Sequence, residues 1–131
     1  DNDPARVARG KEDSLPVLYG DIANPELLVK ARVEEAALVV IAVDREQTAL
    51  EAISHVKNFC PGVPVIARAR DLEASGRLMA AGATVALPEA VESSLRLADD
   101  TLRMIGVPVD NIDLLLANAR RKNYELVDSA E

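Results

Sequence analysis

Residues 38–43, Leu38-Val39-Val40-Ile41-Ala42-Val43, form an unbroken apolar run closed by Asp44. Its length suits a strand better than a helix, and it is rich in β-branched side chains. Apolarity at every position, instead of every second one, suits a strand covered on both faces, as parallel strands of α/β folds are. Three more runs share this character: Leu15 to Tyr19, Val63 to Ala67 and Thr84 to Leu87, each closed by a turn or charge signal. The sequence between them is compatible with helices. Ala49, Ala52, Ile53 and Val56 recur at the three-and-four spacing of one helical face, as do Val91, Leu95, Ala98, Leu102 and Ile105. Asn24-Pro25-Glu26 sets a capping residue before a proline at the first helical position, and Gly82 and Gly106 stand where helix-ending glycines are expected. Strands alternating with helices predict right-handed crossovers and a doubly wound parallel α/β sheet.

Beyond Gly106 and Pro108 the residues Val109, Ile112, Leu115, Leu116 and Ala119 mark another amphipathic helix. Arg120, Arg121 and Lys122 close it with cations, which favour a helix C-terminus. Tyr124 to Glu131 reads as a short added strand or a frayed end. The organisation expected is an α/β domain over 1–106 and a C-terminal helix and tail over 107–131 that serves for attachment or pairing.

Composition narrows the function. A chain of 131 residues is about one domain long. Its 49% apolar fraction has no Trp, one Phe and two Tyr, so the core is aliphatic and base stacking is not how it would hold a ligand. With 22 acidic against 15 basic residues the formal charge is −7, which disfavours nucleic acid and anionic lipid as partners. The single cysteine, Cys60, excludes an internal disulfide, lacks the companions of a zinc site and fits a reducing compartment. No apolar run approaches membrane-spanning length, so direct membrane insertion is not expected. No Ser-His-Asp set, paired carboxylates or metal-ligand spacing emerges. His55 reads as a packing residue, and Asp99-Asp100 and Glu34-Glu35 as solvated helix faces.

The segments Asp1-Asn2-Asp3-Pro4, Val17-Leu18-Tyr19-Gly20-Asp21, Val39 to Asp44, Val65-Ile66-Ala67-Arg68-Ala69-Arg70-Asp71, Ala80-Ala81-Gly82-Ala83 and Leu87-Pro88-Glu89 follow one another in a recognisable order. Together they resemble the TrkA-N family, also called RCK or KTN domains, and most of all those of Kef-type potassium/proton antiporters. The likeness covers roughly 1–106 and rests on the ordered set. The family places a strand, a glycine-rich turn, a helix and a second strand ahead of the point where these residues begin, and no Gly-x-Gly-x-x-Gly occurs here. Such a turn lets backbone amides approach a pyrophosphate. In the Rossmann-like strand order 3-2-1-4-5-6 the absent strands are central, so the run at 15–19 is expected to lack a neighbour and about 30 residues to be missing; the alternative is a rearranged four-stranded sheet.

The resemblance implies a regulatory domain that binds NAD(H) or an adenine mononucleotide, AMP or ATP, and controls monovalent cation transport from the cytoplasmic face of the inner membrane. The nucleotide is expected of the intact domain; with the glycine-rich turn absent, these residues alone either keep it or hold no cofactor. Asp1 aligns with the acid that holds the adenosine ribose; its plain reading is a charged terminus, with Asp3-Pro4 a helix cap. Gly20 and Asp21 fall near the adenine, or form an Asx turn. Ala42 and Asp44 lie near phosphate or the far nucleoside, or Asp44 caps the helix starting at Glu46. Arg68 and Arg70, two apart, project to one face if the strand persists through both. There they suit an anion, a nucleotide phosphate or a glutathione-like carboxylate, or pair with Asp71, Glu73 or Asp44. The expected partners are a second copy of the chain and a membrane-embedded transport domain. Turnover is not expected. The rivals are a cofactor-free dimerisation module and, less favoured, a fragment of an NAD-dependent dehydrogenase.

Overall fold

The computed structural model describes residues 1–128. In chain order they form α1 (Pro4–Glu12), α2 (Pro25–Lys30), a 3-10 turn (Val33–Glu35), β1 (Val39–Ile41), α3 (Glu46–Phe59), β2 (Val65–Ala69), α4 (Leu72–Ala80), β3 (Val85–Pro88), α5 (Glu89–Met104) and α6 (Val109–Asp128). The strands make one parallel sheet in the order β1-β2-β3. Two compact units divide within β2, Asp1–Ile66 and Ala67–Glu131.

In the first unit α1 and α2 begin where the chain supplies acceptors for their free N–H groups. Asp3 Oδ1 accepts from the N–H of Ala5 at 2.9 Å, with Pro4 leading α1, and Asn24 Oδ1 accepts from Glu26 N–H at 3.0 Å, with Pro25 leading α2. Caps of this kind stabilise a helix by about 1 kcal/mol. On α3 the predicted face is the observed one: Ala49, Ala52, Ile53 and Val56 are all buried. β1 joins the sheet through Val39 N–H, which donates to Pro64 O at 3.0 Å.

The run at 15–19 is not a strand. Its backbone bonds go elsewhere: Leu15 N–H donates to Gly10 O at 2.8 Å, Val17 N–H to Leu15 O at 2.9 Å across a tight turn at Pro16, and Leu18 O accepts from the Asp1 nitrogen, 17 residues away, at 3.1 Å. A strand exists only as half of a ladder, and none of the three strands pairs with this segment. Leu15 and Tyr19 stand 56% and 62% exposed, while Val17 turns inward onto α1. A Cβ added at Gly10 would lie 3.0 Å from Val17 Cγ1, so α1 approaches the run as closely as a glycine permits.

In the second unit the inward residues of β2 (Ala67, Ala69) and β3 (Ala86, Pro88) are buried. α4 starts at Leu72 because Asp71 Oδ1 accepts from Ala74 N–H at 2.9 Å, and buried Ser75 Oγ donates to Ala86 O at 2.7 Å, tying α4 to β3. Gly82 and Gly106 adopt φ of +114° and +83°, the left-handed region expected where α4 and α5 end. α5 and α6 pack as a hairpin around the Gly106 corner, with Leu95 and Ile112 as its buried residues. The marked faces are only partly covered, since Ile105, Val109 and Leu115 remain exposed. α6 continues past Ala119, so residues 124–128 are helix and not strand; the rest of the tail, 129–131, lies outside the described residues. On the strands, Val40, Val85 and Leu87 also stay exposed, so the described residues do not supply the covering of both faces that continuous apolarity implied.

Leu78 is wholly buried whereas Phe59 is 60% exposed. Leu78→Ala is expected to lower unfolding stability by about 2–5 kcal/mol. Phe59→Ala should change it by no more than about 0.5 kcal/mol. Urea denaturation of the two variants checks the assignment of inside and outside.

Candidate functional site

Within the first unit, the beginning of the chain and the turn after residues 15–19 meet. Gly20 N–H donates to Asp1 O at 3.0 Å, which brings two of the candidate ligand residues together. The Asp1 carboxylate accepts from Asp3 N–H at 2.8 Å and stands 4.0 Å from the Arg6 guanidinium. Arg6 also reaches Asp3 at 3.4 Å, so it partly neutralises the pair, a role that the sequence reading missed. Asp21 Oδ1 accepts from Ala23 N–H at 2.9 Å, an Asx turn. Gly20 is closely packed: a Cβ there would lie 2.9 Å from a terminal methyl of Leu27. Ala42 and Asp44 are exposed in the loop after β1, and the N-cap position of α3 falls on Arg45, one residue later than expected.

In the second unit, β2 ends at Ala69, so the strand carries Arg68 but not Arg70. The shared face expected for the two arginines therefore does not extend to Arg70. Arg68 is half-buried with Nη1 3.3 Å from Glu89 Oε1, a partner that spacing could not reveal because it opens α5. Arg70 is 84% exposed, its Nε donating to Asp71 Oδ2 at 3.2 Å, one of the ion pairs anticipated for it. Its carbonyl accepts from Ala90 N–H at 3.0 Å, which ties the end of β2 to the start of α5. The Ala74 N–H, and then the Arg70 guanidinium, hold the Asp71 carboxyl below its ordinary range.

Beside these residues a groove of about 570 Å³ opens between α4, α5 and α6. Leu72, Ala90, Val91 and Leu95 give it an apolar floor, while Asp71, Glu73, Ser94 and Asn123 supply polar groups. Ser94 Oγ donates to Ala90 O at 2.7 Å and Asn123 Nδ2 to Ala119 O at 2.8 Å, so both are satisfied on their own helices. Next to the groove, Glu92 of α5 receives three bonds from α6: Arg120 Nε at 3.1 Å, Arg120 Nη2 at 3.0 Å and Tyr124 Oη at 2.8 Å. Neither the groove nor this cluster was foreseen, because both depend on the register between two helices.

His55 projects from α3 with its buried Nδ1 lacking a hydrogen-bond partner, and Cys60 is half-buried after the same helix. Among the described residues no group of three or more His, Cys, Asp or Glu is placed to hold a metal ion, and no helix is long and apolar enough to cross a membrane.

The TrkA-N domain model matches residues 1–88. A K(+) efflux antiporter, KefB, of Alkalimonas amylolytica is 33% identical over 127 residues, 97% of this chain and 19% of that protein. The glutathione-regulated potassium-efflux system protein KefC of Klebsiella pneumoniae subsp. pneumoniae is 30% identical over 132 residues, 98% of this chain and 21% of that protein. This chain thus spans about a fifth of the length of these relatives. Among solved structures, the Kef C-terminal domain of Shewanella denitrificans in AMP-bound form superposes with a TM-score of 0.80 at 25% identity, over 87% of this chain and 72% of that one.

Burial, together with the adjacent Glu92 carboxylate, pushes the Tyr124 phenol up to about 12. The neutral phenol is the form the fold favours, so its contribution to stability is present below the ordinary tyrosine range and lost as pH rises through about 12. Glu92 has the opposite sense: Arg120 and Tyr124 hold it below its ordinary value, and its contribution is lost as pH falls through the carboxylate range. In an alkaline absorbance titration, one of the two tyrosines is expected to ionise near pH 12, with Glu92→Gln drawing that midpoint partway down. An unmoved midpoint would separate the two residues electrostatically.

Proposed function

Because the chain belongs to the TrkA-N domain family, we propose that it is the nucleotide-responsive regulatory part of a potassium-transporting membrane protein of the antiporter type. The supporting observation is the likeness to an antiporter C-terminal domain whose solved form holds AMP. Nucleotide binding, without turnover, is the output: a nucleotide that prefers one of two conformations shifts their balance, and the shift reaches a membrane-embedded transport domain. In the first unit the ligand residues proposed are Asp1, Gly20, Asp21, Ala42 and Asp44; in the second unit, taken by itself, Arg68 and Arg70 are proposed to meet an anion. The contact of Asp1 with Gly20 supports the first two as neighbours. AMP is favoured as ligand, with ATP and NAD(H) as the other adenine nucleotides of the reading. The work is placed on the cytoplasmic side of the membrane.

The exposed guanidinium of Arg70 suits a second, glutathione-like anionic ligand, in keeping with the description of one relative as glutathione-regulated. Self-association is proposed through the α5–α6 hairpin. Leu97 and Met104 stand two turns apart on α5, Ile105 follows as its C-cap, and Val109, Leu114 and Leu115 add to the apolar surface at the start of α6; all six are more than half exposed. A symmetric dimer is the commonest way to cover such a surface.

A second reading, a pairing module without cofactor, draws on the absence of a Gly-x-Gly-x-x-Gly turn from these 131 residues. Thermal melts with AMP, ATP, NADH and reduced glutathione separate the two. A ligand at 100 times its Kd should add about 2.7 kcal/mol to stability. A rise with AMP supports regulation by nucleotide, and no rise with any of the four leaves the pairing module. On either reading, Met104→Glu should move the chain toward monomer in sedimentation velocity.

A further inference from the structure

α6 is attached to the second unit in two places that differ in kind. Near its start Ile112 is wholly buried, and the helix packs against both α4 and α5. This contact is mainly apolar, joined by the long Arg103–Asp113 ion pair at 3.8 Å. Two turns later the attachment is directional. One half-buried carboxylate, Glu92, accepts both nitrogens of a bidentate guanidinium and a phenol, its partners 28 and 32 residues further along the chain. Bidentate pairs fix geometry as well as adding energy. Arg120 and Tyr124 are one turn apart on α6, and Asn123, which lines the groove, stands between them in sequence. On α5, Val91 and Ser94 flank Glu92 and line the same groove.

We propose that Glu92 is the positioning residue of this groove: by holding Arg120 and Tyr124 it sets where Asn123 stands and latches the C-terminal half of α6 as the groove's wall. The other charges around it are already engaged. Glu89 and Arg96, a turn to either side on α5, face Arg68 and Asp100, and Arg121 on α6 faces Glu125. At the α4 end Asp71 is bound by Ala74 and Arg70, and Glu73 approaches Arg77. The latch thus turns on one carboxylate whose removal leaves the Ile112 anchor intact. The proposal does not rest on the nucleotide reading, because it concerns α6 with no ligand present.

Residue-resolved amide exchange of the full chain tests it, comparing the unaltered protein with Glu92→Gln, Tyr124→Phe and the swapped pair Glu92→Arg with Arg120→Glu. In Glu92→Gln, amides of 119–125 are expected to exchange about tenfold faster while those of 72–80 and 93–103 hold within about twofold. Tyr124→Phe should give a smaller change confined to the same residues, and the swapped pair should restore protection. Unchanged exchange in 119–125 would overturn the proposal, as would acceleration spread evenly over α4, α5 and α6, which describes general packing loss. Failure of the swap to restore protection where Glu92→Gln loses it would overturn it too.

Discussion

A strand buried inside a sheet needs a backbone partner on each side, and among the described residues β2 alone has both. Its alternating Val65, Ala67 and Ala69 are buried, and their small size leaves little volume for neighbours to clear. β1 and β3 each have one paired edge and are short. The same requirement accounts for the segment at 15–19. It is apolar, but without a ladder to enter, its backbone turns to the end of α1 and to Asp1. The run thus becomes the back of a turn that brings Asp1 to Gly20.

The second unit completes its interior with polar ties placed between apolar contacts. Ser75 bonds the carbonyl of Ala86, Arg70 O receives the Ala90 amide near the start of α5, and Glu92 gathers two side chains from α6. Each joins elements that apolar packing alone would allow to slide. Exposed surface pairs on the same helices, such as Arg96 with Asp100 and Arg121 with Glu125, join neighbours one turn apart and add little to the tertiary arrangement.

What could be read from the sequence was whatever depends on neighbours along the chain. Caps at Asp3 and Asn24, glycines at the ends of α4 and α5, and the inner face of α3 all depend on residues a few positions apart, and all are as expected. Three of the four strand runs hold because their neighbours are present. The fourth fails because pairing is a property of the sheet and not of the run. The candidate site divides the same way. Asp21 in its Asx turn and Arg70 beside Asp71 could be seen locally, whereas Arg68 with Glu89, Asp1 with Gly20, and Glu92 with Arg120 and Tyr124 join positions 19 to 32 residues apart. Distant pairs are set by where whole elements settle, which no spacing rule encodes.

Exposure points to where such a chain would make further contacts. Isolated exposed apolar residues are ordinary, but Val40 on β1, Val85 and Leu87 on β3, and the α5–α6 residues from Leu97 to Leu115 lie on regular elements. The β-branched and aliphatic composition that makes strands buried on both faces was chosen for a covering the described residues only half provide. The chain spans about a fifth of the length of the antiporter relatives it matches. A net charge of −7 disfavours indiscriminate association of such apolar surfaces.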